Sequence, residues 1–208
     1  LDNGETNPEK GQGADDMCTD TDKDGLCDEL EKFLGSDPND ADTDDDGVPD
    51  GKEPNPSQDF DGDGFNSILD VDSDNDALYD GTEMGFDCSH PDTNKGPPSH
   101  CIPDADMGAT KTSPLNKDSD GGGVSDGSED FNLNGIVDGM ETNPNAGNGG
   151  DDNEPINKDS DMDGLSDELE KQIGSDPNDN DSDDDGLLDG KEPNPADDMD
   201  GDGKNNIA

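Results

Sequence analysis

The sequence of 208 residues has very little material for a hydrophobic core. Only 22% of its residues are apolar, tryptophan is absent, and there is a single tyrosine. No apolar run approaches the roughly 18 residues that a membrane helix needs. A chain with so little apolar surface cannot offset the conformational entropy lost on folding by burial alone. The composition therefore predicts either disorder or a fold held together by metal ions or disulfides.

Positive charge is equally scarce. The chain carries 11 lysine and arginine residues against 60 aspartate and glutamate residues, which gives a formal net charge of -49. Such a surface repels the phosphates of nucleic acids, so nucleic acid is not an expected partner. No insertion of this segment into a membrane is expected either.

The four cysteines are too widely spaced for a CxxC metal ribbon. They are Cys18, Cys27, Cys88 and Cys101. An even number of cysteines in an acidic, loop-rich chain favours disulfides, and hence an oxidising compartment outside the cytoplasm. We therefore expect a secreted, extracellular or cell-surface location.

The acidic residues follow a fixed ladder, which residues 20–31 show most clearly. Carboxylates stand at positions 1, 3, 5, 9 and 12 of a twelve-residue window, with glycine at position 6. Calcium takes about six to eight oxygen ligands, and a loop that turns sharply at its glycine can gather them. The position 7 carbonyl adds a backbone oxygen. The candidate ligands are Asp20, Asp22, Asp24, Leu26, Asp28 and Glu31.

The same ladder recurs in eight further windows, so we predict about nine calcium sites. In the next three windows the candidate ligands are Asp42, Asp44, Asp46, Val48, Asp50, Glu53; Asp59, Asp61, Asp63, Phe65, Asp70; and Asp72, Asp74, Asp76, Leu78, Asp80, Glu83. Between residues 116 and 142 they are Asp118, Asp120, Val124, Asp126, Glu129; and Asp130, Asn132, Asn134, Ile136, Asp138, Glu141. Beyond residue 158 they are Asp159, Asp161, Asp163, Leu165, Asp167, Glu170; Asp181, Asp183, Asp185, Leu187, Asp189, Glu192; and Asp198, Asp200, Asp202, Lys204.

Two positions and one segment depart from the ladder. Ala77 stands at position 6, where a left-handed conformation costs a residue other than glycine about 1–2 kcal/mol. Gly122 leaves position 5 of its window without a side chain. We expect both changes to lower calcium affinity. Residues 104–108 begin like a window, but position 12 falls on Leu115, so we do not count a site there.

The order of the windows divides the chain into five segments. We expect calcium repeats over 1–85, a disulfide-closed irregular insert over 86–115, two further calcium loops over 116–142, a linker rich in glycine and asparagine over 143–158, and a truncated second copy of the first repeats over 159–208. Such recurrence at a long period is the signature of a repeat array.

This long period also predicts how the cysteines pair. Residues from Asp20 onward recur 139 positions later, and residues 5–16 recur 136 positions later. Cys18 then corresponds to Glu154 and Cys27 to Ser166, so both cysteines are lost together, as bonded partners would be. We pair Cys18 with Cys27 and Cys88 with Cys101.

The DxDxDGxxDxxE units, the GSDPNDxDxDDDG connectors and the shorter DxDGDG units resemble thrombospondin type 3 repeats. The closest similarity is to the bacterial, secreted or surface-displayed form of these arrays. The resemblance implies an elongated, mostly irregular chain of tandem calcium loops with a few short helical turns and little hydrophobic core. Calcium ions and disulfides stabilise such arrays, which occur in extracellular adhesive proteins.

Several alternatives compete with this interpretation. EF-hands share the ligand ladder but need a helix on each side of the loop. Consecutive windows here start as little as 12 residues apart, which leaves no room for two helices. Cys88, His90, His100 and Cys101 could bind zinc, although a disulfide with two surface histidines is preferred. The carboxylates lack the shaped, partly dry cleft of a glycosidase, and no enzyme activity is expected.

Three functions remain open from the sequence. The first is a calcium-rigidified stalk or spacer of a surface or adhesive protein. The second is the protomer of a self-assembling extracellular fibre or matrix filament, with copies of itself or other matrix proteins as partners. The third is a docking module, because residues 59–67 resemble a dockerin loop, although dockerins are much shorter than this array.

Overall fold

The structure, a computed structural model, describes residues 18–96, 99–139, 141–146, 157–192, 194–196, 204–205 and 207. Across this described part of the chain there is no β-strand, and regular structure is limited to short helices. The α-helices are α1 (Asp28–Leu34), α2 (Asp80–Glu83), α3 (Asp126–Glu129) and α4 (Asp167–Ile173), and 3-10 turns span Asp50–Lys52, Ser67–Leu69 and Asp189–Lys191. The predicted class, a mostly irregular chain with a few short helical turns, is confirmed. None of these helices is long and apolar enough to span a membrane.

Each of these helices begins at position 9 of a calcium-loop window. The residue before it is extended, as at Cys27, and an acidic residue usually occupies the first turn, where it complements the helix dipole. The helix α1 ends at Gly35, whose φ of 107° is left-handed and whose N–H donates to Glu31 O at 2.7 Å. Gly174 ends α4 in the same way. Gly35 is thus the usual glycine cap of a helix.

Most loops contain two left-handed residues. One is position 6, as predicted, with a φ of 108° at Gly25. The other is position 4, where Lys23 has a φ of 74° although it is not glycine. Residues other than glycine rarely adopt this conformation. The Lys23 N–H donates to Asp20 Oδ1 at 2.7 Å, which helps to hold the turn.

Successive loops stack through one recurring contact. The carboxylate at position 5 of a loop accepts a hydrogen bond from the backbone N–H of the glycine at position 10 of the next loop in the stack. The pairs are Asp24 with Gly51, Asp46 with Gly81, Asp76 with Gly127, and Asp163 with Gly190. Two columns result: windows 20–31, 42–53, 72–83 and 118–129 form the first, and windows 159–170 and 181–192 form the second.

The window 59–70 lies beside the first column. Asn66 Nδ2 donates to Leu34 O at 3.2 Å, at the end of α1. Asn205, which is 139 residues later, donates from Nδ2 to Ile173 O at 2.8 Å, at the end of α4. The second copy therefore reproduces the local packing of the first copy.

The two columns meet at a small apolar cluster. Its buried members are Ala77, Leu78, Leu133, Leu165, Leu169, Ile173 and Ile207. Ser166 N donates to Ser128 Oγ at 3.1 Å beside this cluster. Asn194 N donates to Asn75 Oδ1 at 3.0 Å further along the same contact. The array therefore has one compact joint, at which the second copy lies against the first.

Both predicted disulfides are confirmed. The Cα atoms are 5.8 Å apart in Cys18–Cys27 and 6.0 Å apart in Cys88–Cys101. Both sulfurs of the insert are therefore bonded to each other, and the zinc alternative is wrong. Asp28 N donates to Thr19 O, and Asp167 N donates to Lys158 O. The 139-residue offset thus extends back to residue 19 and places Asn157, rather than Glu154, opposite Cys18.

Candidate metal sites

In at least five loops of the described chain, the carboxylates of positions 1, 3 and 5 converge on one point. One oxygen of each side chain lies within 4.8 Å of the others in the groups Asp20, Asp22, Asp24; Asp42, Asp44, Asp46; Asp59, Asp61, Asp63; Asp72, Asp74, Asp76; and Asp159, Asp161, Asp163. Like charges this close repel one another unless a cation lies between them. Oxygens with this separation fit the coordination shell of calcium, in which each lies about 2.3–2.6 Å from the ion.

The glutamate at position 12 is buried without a hydrogen-bond partner in two of these loops. Glu31 and Glu170 are each 0% exposed. Among the described residues, neither oxygen of either side chain has a hydrogen-bond donor. An unpaired buried carboxylate is costly. A cation held by both oxygens removes that cost, and calcium sites use a bidentate glutamate at this position.

The aspartates at position 3 show the same lack of donors. Buried oxygens without a hydrogen-bond partner are Asp22 Oδ2, Asp44 Oδ2, Asp120 Oδ2 and both carboxylate oxygens of Asp74 and Asp161. Position 1 mostly behaves differently, because its oxygens accept from the backbone of their own loop in four of the five windows named above, although Asp42 Oδ1 has no partner among the described residues. Asp72 Oδ2, for example, accepts from Ala77 N at 2.8 Å. Positions 3 and 12 thus offer the oxygens that fit a metal ion best.

Burial and repulsion between the carboxylates of one loop raise the pKa of the glutamate at position 12. Burial, and then repulsion from Asp22 and Asp24, raises the pKa of Glu31 to about 7. Burial and repulsion from the aspartates of its own loop raise the pKa of Glu170 to about 8. The position 12 carboxylate therefore faces the same point as positions 3 and 5. A dication at that point favours the ionised form of all three groups.

The aspartate at position 9 is engaged within its loop. Asp80 Oδ1 accepts from Ser73 N at 2.8 Å, and Asp80 Oδ2 accepts from Ser73 Oγ at 2.7 Å. The same pair of bonds, from the backbone N–H and the hydroxyl of position 2, joins Thr21 to Asp28, Thr43 to Asp50, Ser160 to Asp167, and Ser182 to Asp189. Position 9 therefore fastens the loop to position 2. Its role as a calcium ligand stays a prediction.

The two loops between residues 116 and 142 are less complete. Gly122 leaves the first of them without a carboxylate at position 5. In the second, Glu141 accepts from Asn132 Nδ2 and from Asp138 N, the latter at 2.8 Å, so its oxygens already have donors. Asn134 at position 5 is neutral. We expect both loops to bind calcium more weakly than residues 20–31.

Ala77 has a structural reason to replace glycine. Its φ of 82° is left-handed, as predicted, and its side chain is fully buried in the cluster that joins the two columns. Burial of a methyl-sized group contributes about 0.8 kcal/mol, which offsets part of the backbone cost. Ala77 N still donates to Asp72, so the loop keeps its turn.

The third loop uses Asp70 at position 12. Asp70 is 2% exposed, and burial followed by repulsion from Asp63 and Asp61 raises its pKa to about 8. It therefore faces the same point as the other carboxylates of its window. The position 7 side chain here, Phe65, is exposed, whereas Val48 at the equivalent position is fully buried.

The disulfide-closed insert covers the second loop. Thr93 Oγ1 donates to Asp42 Oδ2, and Asn94 N donates to Asp45 Oδ1 at 2.6 Å. A Cβ added to Gly47 would lie 2.6 Å from Cys101 Sγ, so the disulfide packs directly on the turn of this loop. The insert also reaches the fourth loop, because Thr112 Oγ1 donates to Glu83 Oε1 at 2.8 Å.

Two kinds of residue that hold the loops together are not among those predicted from the sequence. The first is the hydroxyl residue at position 2, which recurs wherever position 9 is aspartate, with Phe131 as the exception. The second is the glycine at position 10, whose N–H joins one loop to the next. It is present in stacked loops but replaced by Glu29 and Glu168 where each copy begins. Both patterns are visible in the sequence once the windows are aligned.

The last predicted window is only partly described. Asp198, Asp200 and Asp202 lie outside the described residues, and Lys204 is exposed. The position 7 residues Leu26, Leu78, Val124, Ile136, Leu165 and Leu187 remain candidate carbonyl ligands. Of these, Leu78 and Leu165 pack in the joint between the columns.

A family model described as bacterial TSP3 repeat matches residues 20–41 and 159–180. These segments are the corresponding starts of the two copies. No curated protein and no solved structure matches the chain. Repeats of this family bind calcium and occur in extracellular proteins, and the carboxylate clusters fit ion binding.

Proposed function

Because this chain is a thrombospondin type 3 repeat protein, we propose that it is a structural module whose fold depends on about nine calcium ions. The ligands are the side chains at positions 1, 3, 5 and 12 of the nine windows and the position 7 carbonyls, with positions 3 and 12 as the principal contacts. The module serves as a rigid stalk or spacer of a secreted or surface protein.

One observation carries this proposal. Glu31 and Glu170 are fully buried, and their four carboxylate oxygens have no hydrogen-bond donor in the part of the chain that the structure describes. A fold that buries ionisable groups in this way needs a positive charge to pair with them. The chain has only 11 basic side chains, which cannot supply that charge at each loop.

The dependence on calcium follows from repulsion within each loop. A bound ion supplies two positive charges and fixed coordination for oxygens that otherwise repel one another. The carboxylates at positions 1, 3, 5 and 12 hold that ion, while position 9 ties the loop ends to position 2. The bond from position 5 to the next loop then couples the order of neighbouring loops. We expect cooperative stiffening of each column.

An extracellular setting agrees with the covalent chemistry. Two disulfides and no free cysteine occur among the described residues. Disulfides persist in oxidising compartments. Extracellular calcium modules of this kind bind at about 10⁻⁴–10⁻³ M. If calcium is below this range inside the cell and within it outside, the spacer would be unfolded before export and rigid after it.

The fold can be tested by adding calcium to protein prepared in EDTA. We expect small-angle scattering to show compaction and circular dichroism to show a gain of the short helices. Titration calorimetry should count close to nine ions. No change in either shape or spectrum on calcium addition would contradict the proposal.

Matched variants test the assignment of single sites. Glu31→Gln and Glu170→Gln should each remove or greatly weaken one ion. Glu29→Gln is the control, because Glu29 lies in the same helix as Glu31 but is exposed. An equal loss of binding in Glu29→Gln would show that overall charge, rather than the loop, sets the affinity.

A further inference from the structure

The helices α1 and α4 occupy equivalent places in the two copies but differ in exposure. In α4 the apolar side chains are buried, with Leu169 at 0% and Ile173 at 5% exposed. The equivalent residues of α1 are Leu30, which is 43% exposed, and Leu34, which is half-buried. Phe33, on the same helix, is 82% exposed. The apolar side of α4 is therefore covered, whereas the equivalent side of α1 is exposed.

The cover of α4 is the end of the first column. Leu169 and Ile173 share a cluster with Ala77, Leu78 and Leu133. Ser166, just before α4, donates from N to Ser128 Oγ at 3.1 Å, where Ser128 belongs to α3. Residues 72–83 and 118–133 thus form an acceptor surface for the start of a following copy.

We propose that the open face of α1 is a docking surface for the same acceptor surface on a second repeat array. By the α1 face we mean Leu26, Leu30, Phe33 and Leu34. The occupant is a calcium-loop segment that carries the pattern of residues 72–83 and 118–133 and has no following copy seated on it. This inference rests on the proposed function insofar as both surfaces need calcium-folded loops.

The sequence before α1 supports this occupant. Residues 5–16 repeat residues 141–152, which precede α4. The window of α1 therefore stands in the same sequence context as the window that is docked in the second copy. The packing behind the helix is also reproduced, since Asn66 and Asn205 make the same bond to the helix end.

At two positions in and beside α1, the first copy is more apolar than the second. Phe33 stands where α4 has Gln172, and Cys27 stands where Ser166 bonds to Ser128. Cys27 is held in a disulfide with Cys18 and has no hydroxyl to offer. Docking at α1 therefore depends on Leu30 and Phe33 rather than on a serine pair.

The acceptor surface of this chain is already filled by its own α4. The wild-type chain should therefore be monomeric even with calcium. If α4 is dislodged, the acceptor surface of one molecule becomes available to α1 of the next. Such a contact is head-to-tail and does not close, so it should propagate into open chains.

The test uses four versions of the 208-residue chain in calcium: wild type, Leu169→Asp, Leu30→Asp, and the double variant. Sedimentation velocity should show monomers for wild type and Leu30→Asp. Leu169→Asp should show a concentration-dependent rise in mass of about twofold or more, because its acceptor surface is open. The double variant should return to monomer, which non-specific aggregation of a damaged fold would not do.

Two outcomes in calcium would overturn the docking surface. One is a monomeric Leu169→Asp variant that still gains helix on calcium addition, and the other is a double variant that associates as much as Leu169→Asp. If Leu169→Asp fails to respond to calcium at all, Ile173→Asp at the end of α4 replaces it, with the same expected results. Association that persists in EDTA also contradicts docking of calcium-folded loops. The calcium response is measured separately, so failure of docking is distinct from failure of the proposed fold.

Discussion

Asp46 and Gly81 are joined by a hydrogen bond of 3.0 Å between Oδ2 and the backbone N–H, across 35 residues of sequence. The other oxygen of Asp46 accepts from Val48 N at 2.7 Å within its own loop. One carboxylate therefore shapes its own calcium loop and holds the next loop in the column. Order in one loop favours order in the next, which is the physical basis for cooperative folding of the array.

Gly81→Ala should break this link. A Cβ at residue 81 would overlap the Asp46 carbonyl oxygen, and because that atom is backbone it cannot move aside cheaply. Overpacking of this kind costs about 1–3 kcal/mol. We expect urea unfolding in saturating calcium to show a lower midpoint and a free energy of unfolding that is smaller by that amount. Gly127→Ala should act in the same way against Asp76.

Gly96→Ala is the control for both changes. Its nearest neighbour is the side-chain oxygen of Asn94, at 3.2 Å from the added Cβ, and its φ lies outside the left-handed range. It should change the free energy of unfolding by much less than Gly81→Ala. Equal effects would mean that loss of glycine, rather than loss of the junction, lowers stability.

The role of position 9 can be separated from that of position 12. Ser73→Ala leaves the buried Asp80 Oδ2 without its 2.7 Å donor, which should cost about 1–3 kcal/mol of stability. Asp80→Asn keeps an acceptor for Ser73 N. If position 9 fastens the loop and does not bind calcium directly, both variants should keep the full number of ions in titration calorimetry. Glu83→Gln should lose one ion, and a loss of one ion in Asp80→Asn would restore position 9 as a ligand.

The repeating ladder made the fold class predictable from sequence. Position 6 glycine and the glycine cap at Gly35 are local features, so short stretches of sequence determine them, whereas the cysteine pairing followed from the long-period repeat. The left-handed turn at Lys23 was not predictable, since position 4 is occupied by residues of every kind. It is imposed by hydrogen bonds to the position 1 carboxylate.

Long-range packing was also beyond the sequence reading. The joint at Ala77 and Leu169 depends on how two copies 139 residues apart meet, and their apolar residues look like any other position 6 or helix residue. From the sequence, Ala77 is expected only to lower the calcium affinity of its loop, whereas in the structure its methyl group fills the joint. The glycine at position 10 was visible in the alignment of windows, but its purpose required knowing which loops stack.

The metal-free protein should be more compact in mild acid than in base. An acid whose pKa is raised by folding stays protonated in the folded state after the unfolded chain has released its proton. Glu31, Glu170 and Glu192 have pKa values raised from 4.5 to about 7, about 8 and about 7. Their effect on stability is therefore absent at about pH 4 and increasingly unfavourable as the pH rises from 4.5 to about 8. Small-angle scattering in EDTA should show expansion between pH 5 and pH 8, and a radius independent of pH would contradict this.

Loss of the Cys88–Cys101 disulfide should weaken the second loop selectively. The insert donates from Thr93 and Asn94 to Asp42 and Asp45, and its disulfide joins two cysteines that are 13 positions apart in the sequence. A loop of that size contributes about 3 kcal/mol when it is closed. Without closure, these donors should leave the loop, and the ion held by residues 42–53 should bind less tightly and exchange faster.

The matched comparison is between two double variants, Cys88→Ser with Cys101→Ser and Cys18→Ser with Cys27→Ser. The first should lower the calcium affinity of one site and raise hydrogen exchange in residues 42–53. The second should act on residues 20–31, because Cys27 precedes the helix that carries Glu31. Mass spectrometry of peptides from the two regions separates these effects. If both variants raised exchange evenly along the column, the disulfides would stabilise the array as a whole and the insert would not protect a particular loop.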